Sequence, residues 1–212
     1  MTRKLFWEDA YLSTHRTVVT DVNGPDVRLA STIFFAFSGG QEGDAGTIGG
    51  HPVCEARKDA LDIVYRLGAG HALEVGQTVD IEIDWARRYR LMRLHFAAEM
   101  VLQLIYRQVP GIVRIGAHIS VDKARIDFAH DTSLAALLPF LEQETAALVR
   151  ADLPIVTGYT DVALQRRYWR VDGFATMACG GTHPRTTGEI GTLVLKRRNP
   201  GKSKERIEVT LG

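Results

Sequence analysis

The stretch A-T-M-A-C-G-G-T-H, residues 175–183, sets the terms on which the rest of the chain is read. Cys179 and His183 are separated by three residues, two of them glycines, so a thiolate and an imidazole can come round a tight turn to face one point. Two such donors do not hold a metal alone. The complement lies in R-L-H-F-A-A-E-M, residues 93–100, where His95 and Glu99 stand four apart. On a helix both project from one face, one turn apart. Two donors on a helix and two on a Gly-rich turn make a tetrahedral N/S/O site of the kind zinc accepts. The competing reading of the helical pair is a plain His–Glu hydrogen bond without metal. A buried carboxylate must be paired or metal-bound in either case.

Working outward, residues 85–108 form the clearest helix of the chain. Leu91, Leu94, Ala98, Leu102 and Ile105 recur at helical spacing, Asp84 caps the start, and Pro110-Gly111 ends the run. Before it, residues 17–22, 27–37, 60–67 and 78–83 read as strands, the last with the alternation V-D-I-E-I-D. Between them lies S-G-G-Q-E-G-D-A-G-T-I-G-G, residues 38–50. It matches no dinucleotide fingerprint and lacks the lysine of a phosphate-binding loop. Two readings stand: β-turns between short strands, or a backbone that passes close to a ligand with Gln41 beside it. After the helix come a hairpin over 112–120 and 124–128, a helical segment over 133–150 with Pro139 at the first turn of its main part, and extended stretches at 155–164, 188–196 and 206–211. The segment 197–205 has the composition of a mobile hairpin tip. The expected fold class is α+β. A small, mostly antiparallel N-terminal β-barrel over 1–84 carries the Gly-Gly-Gln loop, and a metal-binding domain over 85–212 packs its helices on an antiparallel sheet.

With 212 residues and an apolar fraction of 45%, the chain is long and apolar enough for one large core or two modest ones. A formal charge of +1 implies no partner by itself, so any nucleic-acid contact must rest on local basic clusters. Two cysteines, no secretory h-region and no run of eighteen apolar residues favour a reducing, cytoplasmic setting without membrane insertion. Three basic clusters stand out: Arg87, Arg88, Arg90 and Arg93; Arg166, Arg167 and Arg170; and Lys196, Arg197 and Arg198 with Lys202 and Lys204. They read as a charged surface or as contacts to an RNA backbone. Tyr89, Tyr168 and Trp169 suit either base stacking or the core.

C-G-G-T-H at 179–183, followed by T-G-E-I-G at 187–191, resembles the second metal-binding motif of the alanyl/threonyl-tRNA synthetase editing domains. F-F-A-F-S-G-G-Q-E-G-D-A-G-T-I, residues 34–48, is similar to the Gly-Gly-Gln segment of free-standing alanyl-tRNA editing proteins of medium length. Residues 90–100 fall where that family carries its His-x-x-x-His motif. The resemblance implies hydrolysis of the ester of tRNA for alanine mischarged with serine or glycine, with zinc bound. It implies metal ligation by His95, Cys179 and His183, and Glu99 stands where the family has histidine. Glutamate ligates zinc readily, though its charge makes the metal a poorer Lewis acid; it could serve instead as a general base. The residues expected to work on the aminoacyl group are Gln41, Thr182 and Glu99. Those expected to contact the acceptor end of mischarged tRNA are Arg93, Lys196, Arg197 and Arg198. No DNA partner is expected, and the oligomeric state is open. Two other functions compete: a zinc-containing tRNA-binding protein without catalysis, and a deacylase of the same fold acting on another mischarged tRNA.

Overall fold

A computed structural model describes residues 1–212. The chain divides into two compact units, Met1–Ser38 with Glu42–Tyr89 and Gly39–Gln41 with Arg90–Gly212.

In the first unit, β1 (Arg3–Lys4) pairs in parallel with β4 (Ser31–Thr32). The other strands are β2 (Thr14–Asn23), β3 (Asp26–Leu29), β5 (Gly46–Ile48), β6 (His51–Asp59), β7 (Asp62–Leu67) and β8 (Thr78–Ile83). Alternation fixes their faces: in β8, Val79, Ile81 and Ile83 are buried and Thr78, Asp80 and Glu82 are exposed. The six strands pair in the cyclic order β2-β3-β7-β6-β5-β8. The expected small barrel is corrected in its construction: the ring closes, but as two sheets joined by short pairings. β3 meets β7 through Asp26↔Arg66 and Val27↔Tyr65 alone, and β5 meets β6 through Thr47↔Pro52 and Ile48↔His51 alone. Two antiparallel sheets, β2-β3-β7-β6 and β2-β8-β5-β6, share β2 and β6 along their edges. Register shifts at Val19/Asp21 and Val53/Glu55 bend those shared strands at the corners. The expected strand over 27–37 is likewise broken. After β4 the chain leaves the sheet, and Ile33, Phe34, Phe35 and Ala36 are buried without strand pairing.

A buried ion pair holds that irregular stretch. Arg88, with no exposed surface, donates from Nε to Asp44 Oδ1 at 2.8 Å and from Nη1 to the Ala10 carbonyl at 2.9 Å, and it also reaches the second Asp44 oxygen and the Ile33 carbonyl. The main-chain N–H of Phe35 donates to Asp44 Oδ2 at 2.6 Å. Arg88 is therefore no part of a surface cluster. Replacing it with methionine leaves the Asp44 carboxylate buried and unpaired. Arg88→Met is expected to cost about 3–5 kcal/mol, read as a fall in the thermal unfolding midpoint.

α1 (Trp85–Gln108) begins in the first unit, and from Arg90 on it forms the core of the second. Asp84 Oδ1 accepts from the Arg87 main-chain N–H at 3.0 Å and caps its start. The expected stripe of Leu91, Leu94, Ala98, Leu102 and Ile105 is buried, but so are Phe96, Met100, Val101 and Leu104, so most of this part of the helix is enclosed. β9 (Val113–Ile119) and β10 (Ala124–Ala129) form the expected hairpin, and α2 (Leu138–Ala151) starts with Pro139 in its first turn. The remaining strands are β11 (Val156–Asp161), β12 (Arg166–Val171), β13 (Ala175–Ala178), β14 (Leu193–Gly201) and β15 (Lys204–Leu211).

The expected helices-on-one-sheet layout needs a second correction. The four-stranded antiparallel sheet β14-β15-β10-β9 is open and not closed into a barrel, and β11-β12-β13 forms a separate sheet. Residues 188–190, expected as strand, lie in a 3-10 turn, Thr187–Ile190, with a capping box between Thr186 and Glu189. The stretch 197–205, expected as a loop, is mostly strand, because its alternating residues pair across the β14–β15 hairpin.

Candidate metal centre

α1 and the turn after β13 bring the four anticipated donors together in the second unit. One donor atom from each of His95, Glu99, Cys179 and His183 lies within 4.8 Å of the other three. Glu99 offers one oxygen to each imidazole, with Oε1 3.3 Å from His95 Nε2 and Oε2 3.1 Å from His183 Nε2. Cys179 Sγ lies 3.6 Å from His95 Nε2. A zinc ion with N and O ligands near 2.0–2.2 Å and S near 2.3 Å sets tetrahedral edges of about 3.3 Å for N–O and about 3.6 Å for N–S. These three separations lie near such edges, the four donor atoms together lie within 4.8 Å, and the donor set is of the type zinc takes. His95, Glu99 and His183 are each 6% exposed, so the charges face one another and not bulk water.

Burial is the largest single influence on each of the four groups and opposes ionisation, but their mutual charges outweigh it. The Glu99 carboxylate and the Cys179 thiolate hold His95 well above the ordinary histidine range. Cys179 and the bond to Glu99 raise His183. The two imidazoles keep Glu99 well below the ordinary carboxylate range, and they lower Cys179 against the push of Glu99.

The surrounding contacts orient the donors. His95 Nδ1 lies 3.4 Å from the Thr182 carbonyl, which can only accept, so a proton on Nδ1 has a partner there and Nε2 is the nitrogen that would serve a metal. Cys179 Sγ accepts from the Gly181 main-chain N–H at 3.3 Å. The rings of His95 and His183 stack at 5.0 Å, and Phe96 meets His183 edge-on at 5.8 Å. Gly181 has a steric reason: a Cβ there would fall 2.1 Å from His95 Cε1.

Gln41 reaches the same turn from the Gly-rich stretch. Its Nε2 donates to Thr182 Oγ1 at 2.9 Å, its Oε1 accepts from the Thr182 main-chain N–H at 3.4 Å, and it is 1% exposed. A bridge to Ile119 and the bond from the Ile119 N–H to the Gly40 carbonyl, 2.8 Å, seat the segment on β9. A Cβ at Gly40 would come 2.5 Å from the Ala117 carbonyl oxygen, at φ +91°. The close approach at Gly40 is to β9 and not to a ligand, so it does not decide between the two readings of this stretch. The Thr182 carbonyl, Phe96 and Ile119 were not singled out from sequence; only the paired glycines of the Cys-Gly-Gly-Thr-His turn hinted that something packs against it.

The expected tRNA-contacting residues are not brought together as one group. Arg93 donates from Nε and Nη2 to the Ile190 carbonyl at 3.1 and 2.7 Å and so anchors the 187–190 turn. Arg197 forms a two-pronged ion pair with Glu205, itself 2% exposed, and is not a solvated tip residue. Lys196 and Arg198 are exposed. Trp169 is fully buried against Phe96, which excludes it from base stacking, and Tyr89 stacks on Trp85 at 5.5 Å.

A family model described as "Threonyl and Alanyl tRNA synthetase second additional domain" matches residues 168–208, which include the Cys179–His183 turn and most of the β14–β15 hairpin. Beyond that segment, the chain is 33% identical to alanyl-tRNA editing protein AlaX-M of Pyrococcus horikoshii, over 100% of this chain and 98% of that protein. It is 29% identical to the AlaX-M protein of Saccharolobus solfataricus, over 100% of this chain and 99% of that one. An alanine–tRNA ligase of Pyrobaculum arsenaticum is 31% identical over 92% of this chain and 25% of the ligase. The chain belongs to the AlaX-M family of alanyl-tRNA editing proteins.

Proposed function

We propose that the protein is a trans-acting deacylase that hydrolyses the 3'-terminal ester of tRNA for alanine mischarged with serine or glycine, with zinc held by His95, Glu99, Cys179 and His183. The observation that carries this reading is the convergence of four donors of metal-binding type within 4.8 Å of one another, in a chain aligned end to end with AlaX-M editing proteins. Zinc there would supply Lewis acidity for ester hydrolysis. The chain's own residues do the rest. Cys179 is a donor and not a nucleophile, since the residues around its sulfur are fellow donors and the Gly181 N–H. Hydrolysis would need one position on the ion open to water or ester beside the residues that hold it. Thr182 uses its oxygen as an acceptor for Gln41, which leaves its hydroxyl proton for a bond to the aminoacyl group. A hydrogen-bonding group separates serine from alanine where an apolar wall cannot.

The test is deacylation of tRNA for alanine carrying serine, glycine or alanine, and of a different mischarged tRNA, each with and without chelator. Serine and glycine esters are expected to be hydrolysed and the alanine ester spared, with activity lost to chelator and restored by zinc. Zinc content and tRNA binding without turnover on any ester would give the non-catalytic function. Turnover on the other tRNA alone would redirect the specificity.

In this reading Gln41 acts through Thr182 as a positioning residue. Gln41→Ala frees the Cys-Gly-Gly-Thr-His turn on one side, and the expected result is a roughly tenfold loss of zinc retention, of the size seen for outer partners of metal ligands. Affinity for tRNA should hold. Chelator competition against a tRNA-binding titration reads the two separately.

A further inference from the structure

The open sheet β14-β15-β10-β9 has one face in the core, with Leu195, Ile207, Val209, Ile126 and Phe128 buried. Strand alternation puts a different chemistry on the other face. Across the strands, one row runs Lys196, Glu208, Arg125 and His118, and the next runs Arg198, Arg206, Asp127 and Gly116. Lys123, just before β10, reaches into the first row, its Nζ 2.5 Å from Glu208 Oε1. Arg198 Nε lies 3.4 Å from Glu208 Oε2, and Arg125 and Arg206 share Asp127 at 2.8 and 2.5 Å.

Four cations thus meet two carboxylates, with Lys196 beside them in the first row, and the two signs lie at different depths. The Glu208 and Asp127 side chains are 11% and 15% exposed, while those of Arg198, Lys123 and Arg125 are 62%, 45% and 37% exposed. The carboxylates lie beneath the cations and hold them in place, so the layer a partner meets is cationic. Arg197, between Lys196 and Arg198 in sequence, points to the other face and is neutralised by Glu205.

We infer that this sheet face binds the sugar-phosphate backbone of tRNA while the acceptor end occupies the metal centre. The inference rests on the deacylase reading and adds to it the surface that holds the remainder of the substrate. A flat, shallow array of ammonium and guanidinium groups suits a row of phosphates and reads no base sequence.

The experiment removes cations without stranding either carboxylate. In the triple variant Arg125→Gln, Lys196→Gln, Arg198→Gln, Lys123 stays on Glu208 and Arg206 stays on Asp127. Binding of uncharged tRNA is titrated over a range of salt for the wild type, this variant, and a control with Arg166→Gln and Arg170→Gln on β12. Zinc content and the unfolding midpoint are measured alongside, to show that each protein is folded. The expected result is an affinity on the order of tenfold to a hundredfold weaker at low salt. The log–log salt slope should be shallower by roughly 0.7–0.9 for each phosphate that the variant no longer neutralises. The β12 control should stay close to the wild type, and hydrolysis of a small aminoacyl ester lacking the tRNA body should be unchanged in the triple variant. Wild-type binding that the triple variant keeps, slope included, overturns the surface and leaves the deacylase reading standing. So does an equal loss in the β12 control, which would mark an effect of net charge. Loss of binding to phosphatidylserine vesicles with tRNA binding intact would assign the face to a membrane and overturn the inference. A wild type that neither binds tRNA nor hydrolyses the small ester defeats both.

Discussion

Cys179→Ala is expected to strip the protein of zinc and to abolish deacylation. The sulfur is held at 3.6 Å from His95 Nε2 and receives the Gly181 N–H at 3.3 Å, so its place in the cluster depends on the turn and not on solvent. Alanine leaves three donors, two of them neutral when they ligate, and removes the one anionic sulfur. Losing a direct ligand should exceed the roughly 100-fold upper figure for losing an outer partner, so purified Cys179→Ala is expected to hold well under one zinc per chain. Turnover should fall in parallel. The matched control is Cys54→Ala, an exposed cysteine on β6, which should leave both unchanged. Elemental analysis of protein prepared without chelator gives the occupancy. Cobalt substitution adds a direct reading, because a thiolate-to-metal charge-transfer band should be present in the wild type and absent from Cys179→Ala. Unaltered metal content in Cys179→Ala would remove the thiolate from the ligand set.

Glu99 carries the second large effect. Its two oxygens lie 3.3 and 3.1 Å from the two imidazoles. Glu99→Gln keeps the shape and one carbonyl oxygen but removes the charge that holds the imidazoles and attracts the cation. Zinc affinity and turnover are expected to fall together. Glu99→His puts a neutral nitrogen donor at that place, and it should keep the metal and hydrolyse at least as fast, since a neutral ligand leaves zinc the stronger Lewis acid. The competing role is a general base for the attacking water. Occupancy against turnover separates the two: full zinc in Glu99→Gln with hydrolysis nearly abolished would assign the base, and parallel loss assigns ligation. Glu99→Gln should remain folded, because α1 is fixed by apolar residues along its length.

The local spacings carried much of the site. An i,i+4 pair on a helix and a Cys-x-x-x-His turn each place two side chains by geometry that spans only a few residues, so His95, Glu99, Cys179 and His183 could be named from sequence. The same holds for α1, the β9–β10 hairpin and the proline at the start of α2, whose signals are periodicity and capping. Charge was legible as clusters but not as free charge. Arg88 belongs by sequence to a basic run, yet it lies buried on Asp44, forty-four residues away. Arg197 is flanked by two exposed cations and is itself neutralised by Glu205. Strand β6, written H-P-V-C-E-A-R-K-D, shows no clean alternation because both of its faces are partly wet.

The sequence by itself determined that four donors of zinc-binding type would lie on a helix and a glycine turn, and that strands and helices would be segregated along the chain. Only the tertiary structure decided which elements share a sheet. It bent β2 and β6 across two sheets, left the second unit's larger sheet open, and set Gln41 against Thr182, 141 residues apart. It also sorted Lys196, Arg197 and Arg198 onto opposite faces. The physical reason is range. Periodicity and spacing report which side of one element is apolar, whereas sheet partners and ion-pair partners are fixed by contacts between residues far apart in sequence, for which a single chain carries no local signal.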